Sequence, residues 1–239
     1  MTDAALARHL ATLAGALLMQ LRADFTGSGA ALGAAGDHAA NAFLMAELRA
    51  ARPDDAILSE EEAADPARLA ARRIWIVDPL DGTREYGERR DDWAVHVGLA
   101  IDGVATHGAV ALPAMDACFC SEFPPALAAE HQPLRMLVSR SRPAPHAVAV
   151  AQALGAELVP MGSAGAKAMA VLRGDADIYL HSGGQYEWDN CAPAAVARAA
   201  GLHVSRIDGS PLVYNRADPL LPDLLICHRD RAKQVLALI

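Results

Sequence analysis

The stretch Trp75-Ile76-Val77-Asp78-Pro79-Leu80-Asp81-Gly82-Thr83 constrains this chain more than any other. The apolar run from Ile74 to Val77 is rich in β-branched residues and reads as a buried strand. It delivers the chain to an acid, and Pro79, which has no ladder donor, is expected to stop the strand there. Asp81 follows within one turn, Gly82 permits a close backbone approach, and Thr83 offers a hydroxyl beside free N–H groups. Two carboxylates held about 4 Å apart repel by about 4 kcal/mol at an effective dielectric of about 20. A fold that brings them together needs a cation. Hard oxygen ligands at a strand end favour Mg²⁺, which keeps some of its waters and takes substrate phosphate. Taken alone, the stretch also fits a plain acidic turn, because Asp-Pro and Asp-Gly are ordinary turn dipeptides.

A second strand ends the same way. Residues 56–59 read as a short strand that runs into Glu60, Glu61 and Glu62. An acidic triplet is commonly a solvated helix start. Laid beside a strand at 73–77, however, it places Glu60 close to Asp78 and Asp81. Upstream, Leu6, Leu10, Leu13, Leu17 and Leu21 form one stripe of a helix over 3–23. The Gly- and Ala-rich segment from Phe25 to Gly36 reads as a mobile loop, with Asp37 as the N-cap of a second helix. Downstream, Asp102-Gly103 between two apolar runs predicts a hairpin, and Met115 to Cys120 a further strand.

From Leu134 onward strands alternate with helices, which argues an α/β lobe. The expected organisation is an α+β lobe at 1–133 with the metal-binding motifs, and an α/β lobe at 134–239 with Asp189 and the substrate-binding elements. A strand in this half ends in Ser139-Arg140-Ser141-Arg142, and Arg suits bidentate phosphate contact. Gly162-Ser163-Ala164-Gly165-Ala166-Lys167 opens a helix. Small residues at a helix start make an anion site to which Lys167 would add charge, although the spacing is not that of a P-loop. Trp188-Asp189 is expected just ahead of a helix beginning near Cys191, and Tyr179 and Tyr186 offer faces for a base. Cys191 and Ser163 are conceivable nucleophiles, but neither has an evident base partner.

A formal net charge of -8 argues against nucleic acid or an anionic membrane as the main partner. A small anionic substrate stays open, because a bound metal inverts the local sign. No stretch is read as spanning a bilayer, and four cysteines without a C-x-x-C pair suit a reducing, cytoplasmic setting. None of the nine histidines has metal-ligand spacing; His96 and His107 read as ordinary sheet residues.

Glu60-Glu61, Asp78-Pro79-Leu80-Asp81-Gly82-Thr83 and Trp188-Asp189, in this order and separation, resemble the motifs of the inositol monophosphatase superfamily of Mg²⁺-dependent, lithium-sensitive phosphatases. The segment Trp188-Asp189-Asn190-Cys191-Ala192-Pro193 is most similar to the CysQ branch, the 3′(2′),5′-bisphosphate nucleotidases. The resemblance implies a layered αβαβα fold that joins an α+β and an α/β lobe. It also implies a phosphatase that removes the 3′-phosphate of an adenosine bisphosphate, or else a sugar or inositol phosphatase on the same scaffold. A metal- or nucleotide-binding sensor without turnover is the reading from another class. Carried over position by position, Glu60, Asp78 and the Leu80 carbonyl would hold one Mg²⁺, and Asp78, Asp81 and Asp189 another. Asp37 with Thr83 would orient and deprotonate water, and Gly82 and Thr83 would offer N–H groups to phosphate. Ser139, Arg140, Ser141, Gly162, Ser163 and Lys167 would bind the rest of the substrate. Family members usually carry a Thr before the loop acid. Here the residues are Gly33-Ala34-Ala35-Gly36-Asp37, so the count of metals, two or three, stays open. So does the subunit number, although the resemblance implies a homodimer as one assembly.

Overall fold

In the computed structural model, which describes residues 1–239, the Ala- and Leu-rich N-terminal region forms two long helices. They are α1 (Asp3–Asp24) and α2 (Gly29–Ala51), capped by the side chains of Thr2 and Ser28, which accept from Ala5 N and Ala31 N. A first sheet follows: β1 (Ala56–Ser59), β2 (Arg73–Asp81), β3 (Ala94–Ile101), β4 (Val104–Leu112) and β5 (Ala117–Cys120), side by side in chain order. β1 and β2 are parallel and the other pairs antiparallel. The short helix α3 (Thr83–Gly87) leaves the end of β2. Asp102 and Gly103 both take positive φ, the geometry a two-residue hairpin needs, and they join β3 to β4.

The second sheet is built from β6 (Arg135–Ser139), β7 (Glu157–Met161), β8 (Ile178–Ser182), β9 (His203–Ser205) and β10 (Asp223–Cys227), in the order β7-β6-β8-β10-β9. Its helices are α4 (Pro145–Leu154), α5 (Ala164–Arg173), α6 (Glu187–Ala199) and α7 (Arg229–Leu236). α1 and α2 cover one face of the first sheet, α5 and α6 fill the space between the sheets, and α4 and α7 close the far side. The layers therefore run αβαβα. The central layer is small-residue-rich, and Ala192, Ala194, Ala195 and Ala197 of α6 are all buried. Gly98 and Gly108 lie against α6, where an added Cβ would come within 2.9 Å of Ala192. This close approach lets one helix serve both sheets.

Several expectations are corrected. α2 begins at Gly29, so the segment from Phe25 to Gly36 is mostly helix rather than loop, and Asp37 lies inside the helix rather than at its cap. The glycines face α3 and the end of β2: an added Cβ would lie 2.8 Å from Thr83 Cγ2 at Gly33, and 2.9 Å from Leu80 Cδ2 and Tyr86 Cε1 at Gly36. Glycine inside a helix costs about 1 kcal/mol relative to alanine, and the packing seam outweighs that propensity. β2 continues through Pro79 to Asp81 instead of stopping. Trp188 and Asp189 lie in the first turn of α6, not ahead of it. Residues Pro113–Met115 form a 3-10 turn, so β5 starts only at Ala117. α1 is in fact long and apolar enough, by length and composition, to cross a bilayer; its apolar residues Leu6, Leu10 and Leu18 are buried against the rest of the chain.

Candidate active site

The site begins with a register. Ser59 of β1 pairs with Val77 of β2, so the two parallel strands leave the sheet together, Glu60 beside Asp78. On the other side of β2, Asp78 is opposite His96 and Asp81 opposite Ala94. Three steps along β2 match two along β3, which is a β-bulge at Pro79 and Leu80. In an unbroken strand, positions 78 and 81 point to opposite faces, and the extra residue turns their carboxylates the same way. Proline is tolerated at such a bulge because no ladder donor is needed there. The Leu80 N–H folds back to Asp78 Oδ1 at 3.0 Å. Asp189 arrives from α6, where its Oδ2 accepts the Tyr186 N–H at 2.7 Å as part of a capping box. One oxygen from each of Asp78, Asp81 and Asp189 lies within 4.8 Å of the others.

The acids differ in their electrostatics. Asp78 is buried, and burial together with Glu60, Asp81 and Asp189 raises its pKa well above the ordinary range. Desolvation pushes Glu60 up to about 7, with Asp81, Glu61 and Asp37 adding repulsion, although its side chain reaches solvent and hydrogen-bonds Asp78. Burial and Asp81 push Asp189 up to about 7. Asp81 is the exception. Burial would raise it, but His96, Ser163 and Lys167 outweigh burial and hold its carboxylate well below the usual range. Its Oδ2 accepts Ser163 Oγ at 2.5 Å and Gly165 N at 2.6 Å, and its Oδ1 accepts Ala164 N at 3.1 Å. His96, fully buried, places Nε2 3.1 Å from Asp81 Oδ2, in ion-pair reach but without hydrogen-bond alignment. Its Nδ1 lies 3.0 Å from the Trp188 carbonyl. Burial lowers the His96 pKa, but the attraction of Asp81 prevails and the net shift is upward.

Thr83 and Asp37 meet across the α2–α3 seam. Thr83 Oγ1 lies 3.1 Å from Asp37 Oδ1 and 3.2 Å from the Leu80 carbonyl, and its single proton serves one of them at a time. Desolvation, then Glu61, pushes Asp37 up to about 6. Gly82 turns the chain at φ 93° between β2 and α3, and Trp93 and Ser163 crowd the space a Cβ would take there. The first N–H groups of α3 have no partner within the helix.

The predicted substrate residues are brought to the same side but in unequal states. A cavity of about 400 Å³ is lined by Ser139, Arg140, Ser141, Arg142, Gly162, Ser163 and Lys167 with Arg84 and Glu85. A second, of about 340 Å³, is bordered by Asp81 and Asp189 and also by Ser139, Arg142 and Lys167. The expected anion site at Gly162–Lys167 is corrected: the donors at this helix start bind Asp81. Lys167 is buried and donates to the Gly162 and Ser163 carbonyls at 3.1 and 2.5 Å. Arg140 is engaged by Glu85 at 2.6 Å and Glu88 at 3.2 Å. Arg142 has no carboxylate partner and lines both cavities. Cys191 is fully buried and its thiol is pushed up by burial, which removes it as a nucleophile. Sequence reading missed two residues. His96 was reachable only through the strand register that sets it opposite Asp78, and Asp92 clasps the Gly162 N–H at 2.7 Å.

The donor set fits a divalent, oxygen-seeking cation. Four carboxylates meet here, and the positive charge near them comes from His96 and from the buried Lys167, whose ammonium is turned onto carbonyls. Comparisons with known proteins bear on the family. The sequence pattern of the inositol monophosphatase family matches residues 3–238. A 3′-phosphoadenosine 5′-phosphate phosphatase of Mycobacterium leprae (strain TN) is 50% identical, over 100% of this chain and 94% of its own length. The 3′(2′),5′-bisphosphate nucleotidase CysQ of Escherichia coli (strain K12) is 31% identical over 78% of this chain and 81% of its own. The solved structure of CysQ from Bacteroides thetaiotaomicron superposes with a TM-score of 0.80 at 25% identity, covering 95% of this chain and 97% of that one.

Proposed function

Because the chain belongs to the inositol monophosphatase family, whose members are metal-dependent, we propose that it removes the 3′-phosphate of 3′-phosphoadenosine 5′-phosphate, giving AMP and phosphate with Mg²⁺ as cofactor. The observation that carries this reading is the half-identity, over the whole chain, to a relative named for that activity. The site supports it: one cavity lined by both acids and an unpaired guanidinium suits a substrate with two phosphates.

Glu60, Asp78 and the Leu80 carbonyl would hold one Mg²⁺, and Asp78, Asp81 and Asp189 a second. Bound there, the ions would supply charge neutralisation for an in-line displacement and a water of lowered pKa. The protein does the rest. Thr83, within reach of Asp37, orients the attacking water and passes a proton toward that carboxylate, whose raised pKa suits the task. Gly82 and Thr83 direct free N–H groups at the transferring phosphate. No side-chain nucleophile is required. Ser139, Ser141 and Arg142 are assigned to the distal phosphate, and the four unpaired cysteines favour a reducing, cytoplasmic setting.

Phosphate release from 3′-phosphoadenosine 5′-phosphate, inositol 1-phosphate and fructose 1,6-bisphosphate under saturating Mg²⁺ tests the assignment. The nucleotide is expected to be cleaved fastest, and millimolar lithium to inhibit. Faster cleavage of either sugar ester would select that activity instead, and tight nucleotide binding without release would make the protein a sensor.

A further inference from the structure

We propose that His96 is a positioning residue that fixes Asp81 relative to Asp189, and so sets the spacing of two carboxylates that share a metal. The inference rests on the metal-site reading above but concerns a residue outside that ligand set. Two donors, Ser163 Oγ and Gly165 N, bind Asp81 Oδ2, and His96 Nε2 lies 3.1 Å from the same oxygen, while Oδ1 meets only Ala164 N. A carboxylate oxygen has two lone pairs, so Oδ2 is the anchored oxygen and Oδ1 the one left to serve a ligand. The other nitrogen of the same ring lies 3.0 Å from the carbonyl of Trp188, the residue immediately before Asp189. One fully buried imidazole thus touches an acid at the end of β2 and the backbone beside an acid on α6.

A second observation shows that the chain is shaped around this ring. Gly165 lies in the first turn of α5, where alanine would be favoured by about 1 kcal/mol. A Cβ at Gly165 would fall 2.0 Å from His96 Nε2. The glycine admits the imidazole, and the imidazole meets Asp81 where α5 begins. A histidine that served only to fill the core would not need one nitrogen beside Asp81 and the other beside the Trp188 carbonyl.

Partners that orient metal ligands typically govern affinity by about 10- to 100-fold, and that is the loss expected for His96→Phe, which keeps the ring and removes both nitrogens. The readout is Mn²⁺ affinity of the full-length protein, measured by electron paramagnetic resonance without substrate, beside its melting temperature. His96→Gln, whose amide reaches the position of Nε2, should recover more affinity than His96→Asn, which reaches only that of Nδ1. Gly165→Ala should weaken Mn²⁺ binding in the parent and have little further effect alongside His96→Asn. A folded His96→Phe with parental Mn²⁺ affinity overturns the proposal. If that variant does not fold, parental affinity in both His96→Gln and His96→Asn overturns it equally. A parent that binds no Mn²⁺ overturns the metal reading and this proposal together.

Discussion

The acidic and the basic parts of the site, its acid end and its basic end, are built by opposite rules. At the acid end, Asp78 and Asp81 are buried on a bulged strand and Asp189 is locked into a helix cap, so little can move. At the basic end, Ser141 and Arg142 lie exposed on the segment after β6, and Arg140 is held by Glu85 of α3 and by Glu88 just after it. The acid end carries mutual repulsion that a metal relieves, while the basic end carries ordinary, solvent-screened pairs. On the proposed reading, chemistry falls to rigid elements and selectivity to a surface that tolerates change.

Substitutions that divide the two ends should do so steeply. Asp81→Asn and Asp189→Asn are expected to lower phosphate release by about a thousandfold or more, since a metal clamp is worth several kcal/mol at the transition state. Their metal-free stabilities should diverge. Asp189 is held at a raised pKa, so neutralising it should raise the melting temperature. Asp81 is held at a lowered one, so Asp81→Asn should lower it. Retained turnover in both variants would break the two-metal assignment. Next, Asp37→Asn should reduce kcat by about 100- to 10,000-fold, the range for losing general-base assistance, with KM little altered. A change confined to KM would count against the Thr83–Asp37 role.

At the basic end, Arg142→Ala should raise KM for the bisphosphate nucleotide by about 10- to 100-fold, as expected for losing a charge-assisted contact worth 1.5–3 kcal/mol. Hydrolysis of a monophosphate ester should be unaffected. An equal effect on both substrates would remove Arg142 from the distal-phosphate site. Arg140→Ala, by contrast, should cost little stability and change KM only slightly, because its partners are Glu85 and Glu88. A large KM effect would return Arg140 to the substrate site.

The gentlest test is pH. In the folded chain Asp37 is raised to about 6, and Glu60 and Asp189 to about 7, so they retain protons the unfolded chain has released above about pH 4. Their contribution to stability is full below that pH and lost as pH climbs through 6 to 7. The melting temperature of metal-free protein should therefore fall between about pH 4 and pH 7, and saturating Mg²⁺ should flatten the slope, because it binds only the folded state and displaces the protons these acids retain. A metal-free profile that rises across this window would contradict the crowding of acids.

Much of the site was legible because its carriers are local. Apolar runs ending in acids marked β1 and β2, the Asp102-Gly103 pair marked the hairpin, and the separation of Glu60, Asp78, Asp81 and Asp189 marked the family. Errors gathered where composition and context disagree. Gly29, Gly33 and Gly36 have the propensity of a loop, yet they form a helix because α3 packs on them more closely than any side chain would permit. Lys167 and Arg140 looked like free cations; Lys167 turns back onto carbonyls at its own helix start, and Arg140 is engaged by Glu85, distant in the chain.

What the residue order determined by itself was which segments are strands, which acids end them, and hence the kind of chemistry available. Period-two patterns and turn dipeptides depend only on near neighbours. Tertiary structure alone decided that the bulge at Pro79 and Leu80 turns Asp78 and Asp81 the same way, and that His96 reaches both Asp81 and the backbone beside Asp189. It also decided which guanidinium stays unpaired. Each of these depends on register and packing between distant residues, and the energy that selects them does not exist until the layers close.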